Sequence, residues 1–166
     1  GYFEHSAEDV RDHRPAGSLR GWKYLVYEGA CRVPLIARWP ARIKPRVSDQ
    51  MFGLVDLHAT LAKLSGGESS PAIAPDSIDL TAVLLGETRQ SPRVHTALHG
   101  LSNTLALRQG DWKYIPANAT AQASGMGSGA NPSDARFAEN RIIAPLLFNL
   151  AADPGERTNV VAQHPQ

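Results

Sequence analysis

An arginine and a lysine close together in a glycine-containing segment are the residues of this sequence best suited to binding an anion. Arg20 and Lys23 lie on either side of Gly21 in the stretch Leu-Arg-Gly-Trp-Lys. A lysine ammonium is a compact, strongly hydrated charge that suits sulfate or phosphate oxygens. The segment is therefore a candidate oxyanion site, although its spacing alone is more typical of a solvated surface lysine.

The histidines offer a second kind of chemistry, and their spacing argues against a zinc-protease site. No two of them form an i, i+4 pair on a predicted helix. The six are His5, His13, His58, His95, His99 and His164. His5 and His13 stand in a charged stretch with several carboxylates, where metal ligation and simple solvation both remain open. Solvation is the better interpretation, so we predict no metal ligand in this chain.

Nucleophile motifs are incomplete. Ser128 lies in a Gly-Met-Gly-Ser-Gly run that only loosely fits a nucleophile elbow, since no strand precedes it. Phosphate loops of the Walker type are absent from the sequence. Cys31 is the single cysteine, which excludes an internal disulfide and a zinc site of several thiolates. We expect it to be a small buried thiol, and the residues alone reveal no complete active site.

The amino-acid composition gives no support to a nucleic-acid-binding or membrane-spanning protein. The 166 residues carry 17 Lys plus Arg against 16 Asp plus Glu, a net charge of +1, which gives no support to nucleic-acid binding. Apolar residues make up 42%, enough for a packed core. No apolar stretch approaches the ~20 residues that cross a bilayer, so we predict no membrane partner. Because the sequence opens without Met, we expect a piece of a longer chain.

The first half of the sequence predicts a strand followed by helices. The apolar centre of 32–40 lies between two prolines, which indicates a buried strand. Apolar residues recur at spacings of three and four over 48–64, which predicts a helix ending at Gly66, with Asp56 able to cap a second helical stretch after a short break. Residues 78–86 predict one short helix closed by glycine.

The second half predicts a small antiparallel sheet. The stretch 117–134 is small and polar and indicates a flexible insertion. A terminal helix is predicted from residue 158. Candidate strands occupy 93–98, 104–108, 112–115 and 146–150, and the middle two are joined by a tight turn at Gly110. The predicted fold class is α/β, with part of an α/β core over 1–90 and an antiparallel-sheet subdomain with a terminal helix over 91–166.

Several of these segments together resemble the arylsulfatase family of the alkaline phosphatase superfamily. Leu-Arg-Gly-Trp-Lys is followed by Tyr-Glu-Gly and by Arg-Val-Pro, and the strand after them ends in Arg-Trp-Pro. The resemblance continues in order through nearly the whole chain, at 19–23, 27–29, 32–40, 55–62, 105–114 and 147–156. It implies the C-terminal portion of a sulfatase, a sulfuric ester hydrolase, that is inactive by itself.

The resemblance also implies two cofactors for a full-length parent enzyme. The nucleophile of the family is a formylglycine made from a Cys or Ser in a C/S-x-P-x-R motif. Calcium is held by acidic residues near the chain start together with an Asp-Asn pair in a T/S-D-N-G motif. Neither motif occurs in this sequence. Cys31 does not fit the first, because Pro34 follows it by three residues and not by two.

Lys23 is the position that matches the family lysine in contact with the sulfate group. The resemblance makes Arg20 and Tyr27 neighbours that orient it, and places His5 and His13 in a loop that lines the substrate pocket. It implies a sulfated small molecule or glycan as substrate, the N-terminal part of the same catalytic domain as a partner, and a periplasmic or secreted location. Two alternatives remain: a related phosphodiesterase or phosphonate hydrolase, and a non-catalytic binding module.

Overall fold

A computed structural model describes residues 14–100, 104–118 and 142–165. These residues form two compact units, one made of the chain up to Pro34 together with the chain from Ala97 onwards, the other of Leu35–Thr96. The predicted division at 90/91 stays a prediction about the parent domain. The described elements are α1 (Glu28–Cys31), α2 (Leu57–Leu64), α3 (Thr81–Leu85), β1 (His95–His99), β2 (Leu105–Gln109), β3 (Trp112–Ile115) and β4 (Leu146–Asn149), with one-turn 3-10 helices at Leu54–Asp56 and Val161–Gln163.

The sheet is antiparallel with its strands in chain order, β1-β2-β3-β4, which confirms the predicted small antiparallel sheet. Gln109 pairs with Trp112, so Gly110 and Asp111 form a two-residue turn. Gly110 has a φ of 55°, in the left-handed region that such tight hairpins require. In β3 the burial alternates, with Lys113 and Ile115 buried and Trp112 and Tyr114 exposed.

The core of the first unit lies against one face of this sheet. Tyr27 and Phe148 are both about 1% exposed and meet edge to face, with ring centroids 6.5 Å apart. The remaining buried members of this cluster are apolar residues from three parts of the chain: Leu25, Val26, Ala106, Ile115, Ile142 and Leu150. The residues just after Lys23 are thus the ones inserted into the core.

In the second unit, α2 and α3 end as predicted at glycines. Gly66 and Gly86 have φ values of 82° and 83°. After α2 the Gly67 N–H donates to the Ala62 carbonyl, and after α3 the Glu87 N–H donates to the Ala82 carbonyl. These bonds and the left-handed glycines form Schellman-type ends. Helix α2 begins after Asp56 and not at 48, because the chain before it forms only the 3-10 turn.

Asp56 acts differently from the predicted cap. Its carboxylate accepts hydrogen bonds from the N–H groups of Gly53 at 2.8 Å and Ile78 at 3.0 Å, and makes a bidentate pair with the Arg93 guanidinium at 2.5 Å. Asp56 is 0% exposed and Arg93 is 8% exposed. Arg93 also donates to the Asp76 carbonyl. The pair therefore joins three distant segments of this unit.

The predicted buried strand over 32–40 is wrong for the described chain. Its backbone is irregular, and Val33, Leu35, Ile36 and Trp39 are all exposed, Ile36 by 88%. A strand needs a neighbour for its N–H and C=O groups, and the four strands of the sheet pair with one another and not with this segment. The sequence shows that this segment is apolar, but it does not show whether another strand lies beside it to pair with its backbone.

One other expectation is wrong, and two more concern residues that lie mostly outside the described part of the chain. The predicted terminal helix is a single 3-10 turn, Val161–Gln163. The predicted flexible insertion lies mostly outside the described residues, as does most of the predicted loop at 1–18. Among the residues that the structure describes, no helix has the length and apolar character needed to span a bilayer.

We predict that Asp56→Ala lowers the free energy of unfolding by about 3–5 kcal/mol, because it leaves the buried Arg93 charge without its carboxylate. Urea unfolding followed by circular dichroism measures the change. Asp49→Ala is the control, since that carboxylate is exposed and should cost at most about 0.5 kcal/mol. Equal midpoints for the two variants would contradict the structural role given to the pair.

Candidate functional site

Lys23 lies in a tight turn that projects it from the surface of the first unit. The Leu25 N–H donates to the Trp22 carbonyl at 3.1 Å and closes the turn. Gly21 and Tyr24 have φ values of 88° and 84°, both in the left-handed region. The Lys23 side chain is exposed, and its Nζ lies 5.1 Å from the centroid of the Tyr24 ring. This is a cation presented to solvent on a constrained backbone.

The chain on either side of the Lys23 turn forms two arms, a first arm at residues 20–21 and a second arm at residues 27–29, and their backbones pack against each other. The Gly29 N–H donates to the Arg20 carbonyl at 2.7 Å. A Cβ on Gly29 would lie 2.5 Å from the Gly21 carbonyl oxygen, and a Cβ on Gly21 would lie 2.8 Å from Tyr27 Cβ. Neither position has space for a side chain. The Gly residues of the Leu-Arg-Gly and Tyr-Glu-Gly motifs are thus required by this close approach.

Arg20 is half-buried and lies over the ring of Tyr27. Its guanidinium carbon is 3.9 Å from the ring centroid, and its Nη1 donates to the Glu156 carbonyl at 3.2 Å. The arrangement combines a cation–π contact with a hydrogen bond to backbone. Arg20 therefore connects the first arm of the Lys23 turn to the turn after β4.

Behind the turn lies a buried charge cluster of Glu28, Lys113 and Glu156. Lys113 Nζ is 3.0 Å from Glu28 Oε1 and 2.9 Å from Glu156 Oε1. Glu156 Oε2 accepts a 2.6 Å hydrogen bond from the Glu28 N–H. All three side chains are at most 2% exposed. One ammonium thus sits between two carboxylates in the interior.

The cluster reaches solvent only at its edge. Arg108 Nη1 is 3.2 Å from Glu28 Oε2, and the more exposed Arg32 lies 4.0 Å from the same oxygen. Lys113 carries one positive charge against two carboxylates, and Arg108 and Arg32 supply positive charge near Glu28 that offsets the remaining negative charge. Burial raises the pKa of Glu156, against the opposing effects of Lys113 and of the hydrogen bond from the Glu28 backbone.

The structure describes two of the four residues predicted to bind substrate. Lys23 is exposed on its turn, and Arg20 stacks on Tyr27, as a residue that orients the turn would. His5 and His13 lie outside the described residues. The roles of all four in binding sulfate stay predictions.

The charge cluster is the feature that sequence reasoning missed. Glu28, Lys113 and Glu156 all lie within the motifs that carry the arylsulfatase resemblance, yet none was predicted to be functional. The one available signal was the alternation of β3, which puts Lys113 on the same face as Ile115. A lysine at a core-facing position predicts a buried carboxylate partner, but it does not say which one.

The described residues do not fit the cofactors that the resemblance implies. Among them, no group of three or more His, Cys, Asp or Glu side chains is arranged to hold a metal ion. Cys31 is partly buried, its Sγ lies 3.8 Å from the Leu25 carbonyl oxygen, and burial raises its thiol pKa. A raised pKa lowers the thiolate fraction, which is the reverse of an activated nucleophile. Among the described residues there is thus no group of calcium ligands, and Cys31 does not stand in a C/S-x-P-x-R motif.

Comparisons with known proteins assign the chain to a family. No family model matches the sequence. Individual relatives do: an N-acetylgalactosamine-6-O-sulfatase of Bacteroides thetaiotaomicron is 36% identical over 173 residues, covering 100% of this chain and 31% of that protein. Arylsulfatase A of Bos taurus is 37% identical over 155 residues, covering 88% of this chain and 29% of the relative.

A solved structure agrees with these relatives. A protein from work on glycosaminoglycan metabolism by Bacteroides thetaiotaomicron superposes with a TM-score of 0.78 at 36% identity, covering 95% of this chain and 31% of that chain. The fold and sequence thus define a sulfatase homologue. The chain is homologous to the C-terminal portion of the arylsulfatase family, and it spans about a third of the length of the relatives it matches.

We predict that Glu156 makes stability depend on pH. A carboxyl whose folded pKa is raised binds its proton more tightly in the folded state, so its contribution is present at low pH and is lost as pH rises through the raised pKa. Glu156→Gln cannot titrate. The free energy of unfolding of the unsubstituted protein minus that of this variant should therefore fall as the pH rises above about 4.3, the ordinary pKa of a glutamate. Denaturant unfolding at a series of pH values tests it, and a difference that rises with pH would contradict the raised pKa.

Proposed function

We propose that this chain is the C-terminal part of the catalytic domain of a sulfatase that hydrolyses a sulfate ester. The observation that carries the proposal is the alignment of the whole chain with a sulfatase at 36% identity, together with the matching fold. Because the relatives are named sulfatases, they favour sulfate esters over the phosphate esters of a related phosphodiesterase. The N-terminal part of the domain would supply the nucleophile and the calcium site that the described residues lack.

In this proposal Lys23 contacts the sulfate group of the substrate. Negative charge on the sulfate oxygens and the leaving oxygen builds up as the S–O bond breaks, and a cation fixed nearby stabilises it. The constrained backbone at Gly21 and Tyr24 favours this role, since a cation that is already positioned needs little reorganisation during the reaction. Arg20 orients the turn through Tyr27, and His5 and His13 line the pocket for a sulfated small molecule or glycan.

We also propose a cellular location for the protein. A sulfatase acting on such esters would work in the periplasm or after secretion, as the family resemblance implies.

The alternative function, a non-catalytic binding module, predicts that Lys23 has no effect on any hydrolysis. Replacing Lys23 by alanine therefore decides between the sulfatase and the binding module.

We predict that Lys23→Ala in the full-length protein lowers kcat for an aryl sulfate by about 10²–10³-fold, the usual cost of one lost charge-stabilising donor. The fold should be retained, because Lys23 is exposed and its removal leaves no cavity. Inorganic sulfate should also inhibit the variant less strongly than it inhibits the unsubstituted protein.

Lys44→Ala is the control for this prediction. It removes another exposed lysine, one that lies outside the Lys23 turn, and should leave kcat nearly unchanged. If Lys23→Ala kept the same turnover as Lys44→Ala, Lys23 would not contact the sulfate group.

We predict that residues 1–166 expressed alone do not hydrolyse sulfate esters. Sulfate transfer of this kind needs an activated nucleophile and a divalent cation, and this sequence contains no C/S-x-P-x-R motif from which a formylglycine is made. The assay is release of a chromogenic phenol from its sulfate with calcium present. Turnover above background that a chelator abolishes would contradict the prediction and the assignment of the absent motifs.

A further inference from the structure

Both arms of the Lys23 turn are attached to the same residue, Glu156. On the first arm, Arg20 Nη1 donates to the Glu156 carbonyl at 3.2 Å. On the second arm, the Glu28 N–H donates to the Glu156 carboxylate at 2.6 Å. Glu156 holds both bonds with a left-handed backbone, φ 53°, and is 0% exposed. Glu156, more than a hundred positions away in the sequence, therefore links the two arms a second time, in addition to the direct bond from the Gly29 N–H to the Arg20 carbonyl.

Lys113 fixes Glu156 in turn. Its Nζ lies between Glu156 Oε1 and Glu28 Oε1, at 2.9 and 3.0 Å, and the lysine is 0% exposed. Its strand pairs with both neighbours, with Arg108 opposite it on β2 and Phe148 opposite it on β4. The backbone of Lys113 is thus held by a strand that is paired on both sides, and its ammonium is held by the two carboxylates.

The cost of this arrangement indicates that it does more than stabilise the fold. Replacing a buried ion cluster by apolar residues of similar volume is often neutral or stabilising, so such a cluster is a poor source of stability. What charged groups supply is direction, because each bond ends on a particular N–H, carbonyl or carboxylate atom. Here those atoms belong to the backbone on either side of Lys23.

We propose that Glu28, Lys113 and Glu156 are positioning residues for Lys23, holding its turn in the geometry that the sulfate group requires. The inference rests on the proposed function of Lys23. These three residues do not touch the substrate; they act on the reaction only through the turn. A displacement of about 1 Å in a positioned group costs about 10²-fold in rate, so a small shift of the turn is enough to be measured.

The test is a double-mutant cycle in the full-length protein. Glu156→Gln keeps the shape of the side chain but removes the charge that pairs with Lys113. We expect it to lower kcat/KM for an aryl sulfate by about 10- to 100-fold when Lys23 is present. The loss should fall mainly on kcat, as for an interaction made in the transition state. In a Lys23→Ala background the same change should cost less than about 3-fold, because the group it positions is gone.

Asp56→Asn is the matched control. Asp56 is also a 0% exposed carboxylate that accepts N–H groups from a distant segment and pairs with a buried cation, but it belongs to the other compact unit. Its fold-loss in kcat/KM should be the same with and without Lys23. Thermal unfolding sets an assay temperature at which every variant is folded. If Glu156→Gln does not fold at any usable temperature, Glu156→Asp, which keeps the charge and shortens the side chain, replaces it in the same cycle.

The outcomes separate the two proposals. A loss from the Glu156 variant that disappears in the Lys23→Ala background, while the Asp56 variant shows no such dependence, supports the positioning role. If Lys23→Ala reduces turnover but the Glu156 variant costs the same in both backgrounds, or nothing in either, the positioning role is overturned and the proposed function stands. If Lys23→Ala leaves turnover unchanged, both are overturned.

Discussion

The interaction on which the first unit depends is the contact of one buried ammonium with two carboxylates. Lys113 on the central strand β3 meets Glu28 at the start of α1 and Glu156 in the turn after β4. Each carboxylate would be costly in the interior without a cation, and each then has its remaining oxygen available for another donor. Glu156 uses that oxygen to accept the Glu28 N–H, so that helix α1, the sheet and the final turn are joined at one point.

Close backbone packing also holds the chain around Lys23 in place. Tyr27 enters the core beside Phe148, and Gly21 and Gly29 let the chain before and after Lys23 approach to a distance that no side chain would allow. The residues before and after the exposed Lys23 in the sequence therefore have little conformational freedom. In the proposed role, a cation that stabilises developing charge on a sulfate group benefits from this restriction, because its backbone is held in place before the anion binds.

The second unit also contains a buried carboxylate that pairs with a cation and joins distant segments of the chain. Asp56 accepts two backbone N–H groups and pairs with Arg93, which itself donates to the Asp76 carbonyl. Here the joined segments are the start of α2, the chain before α3 and the chain before β1, and no exposed cation projects from the pair. The sulfatase homology covers both units. The residue that we propose to contact sulfate lies in the first unit, where the buried charges bond to the chain on either side of the Lys23 turn.

The sequence by itself determined the local structure and the family. Glycines at 66, 86 and 110 end two helices and form the hairpin turn because only glycine enters the left-handed region at little cost, and the alternation over 112–115 marks β3. The motif order identified the arylsulfatase family. Tertiary structure decided the rest. Whether 32–40 becomes a strand depends on a neighbour that apolar content cannot supply, and the cluster joins Glu28 to residues 85 and 128 positions away. Such long-range pairing of charges leaves no spacing in the sequence, because it is fixed only when the sheet and its turns bring those side chains to one place.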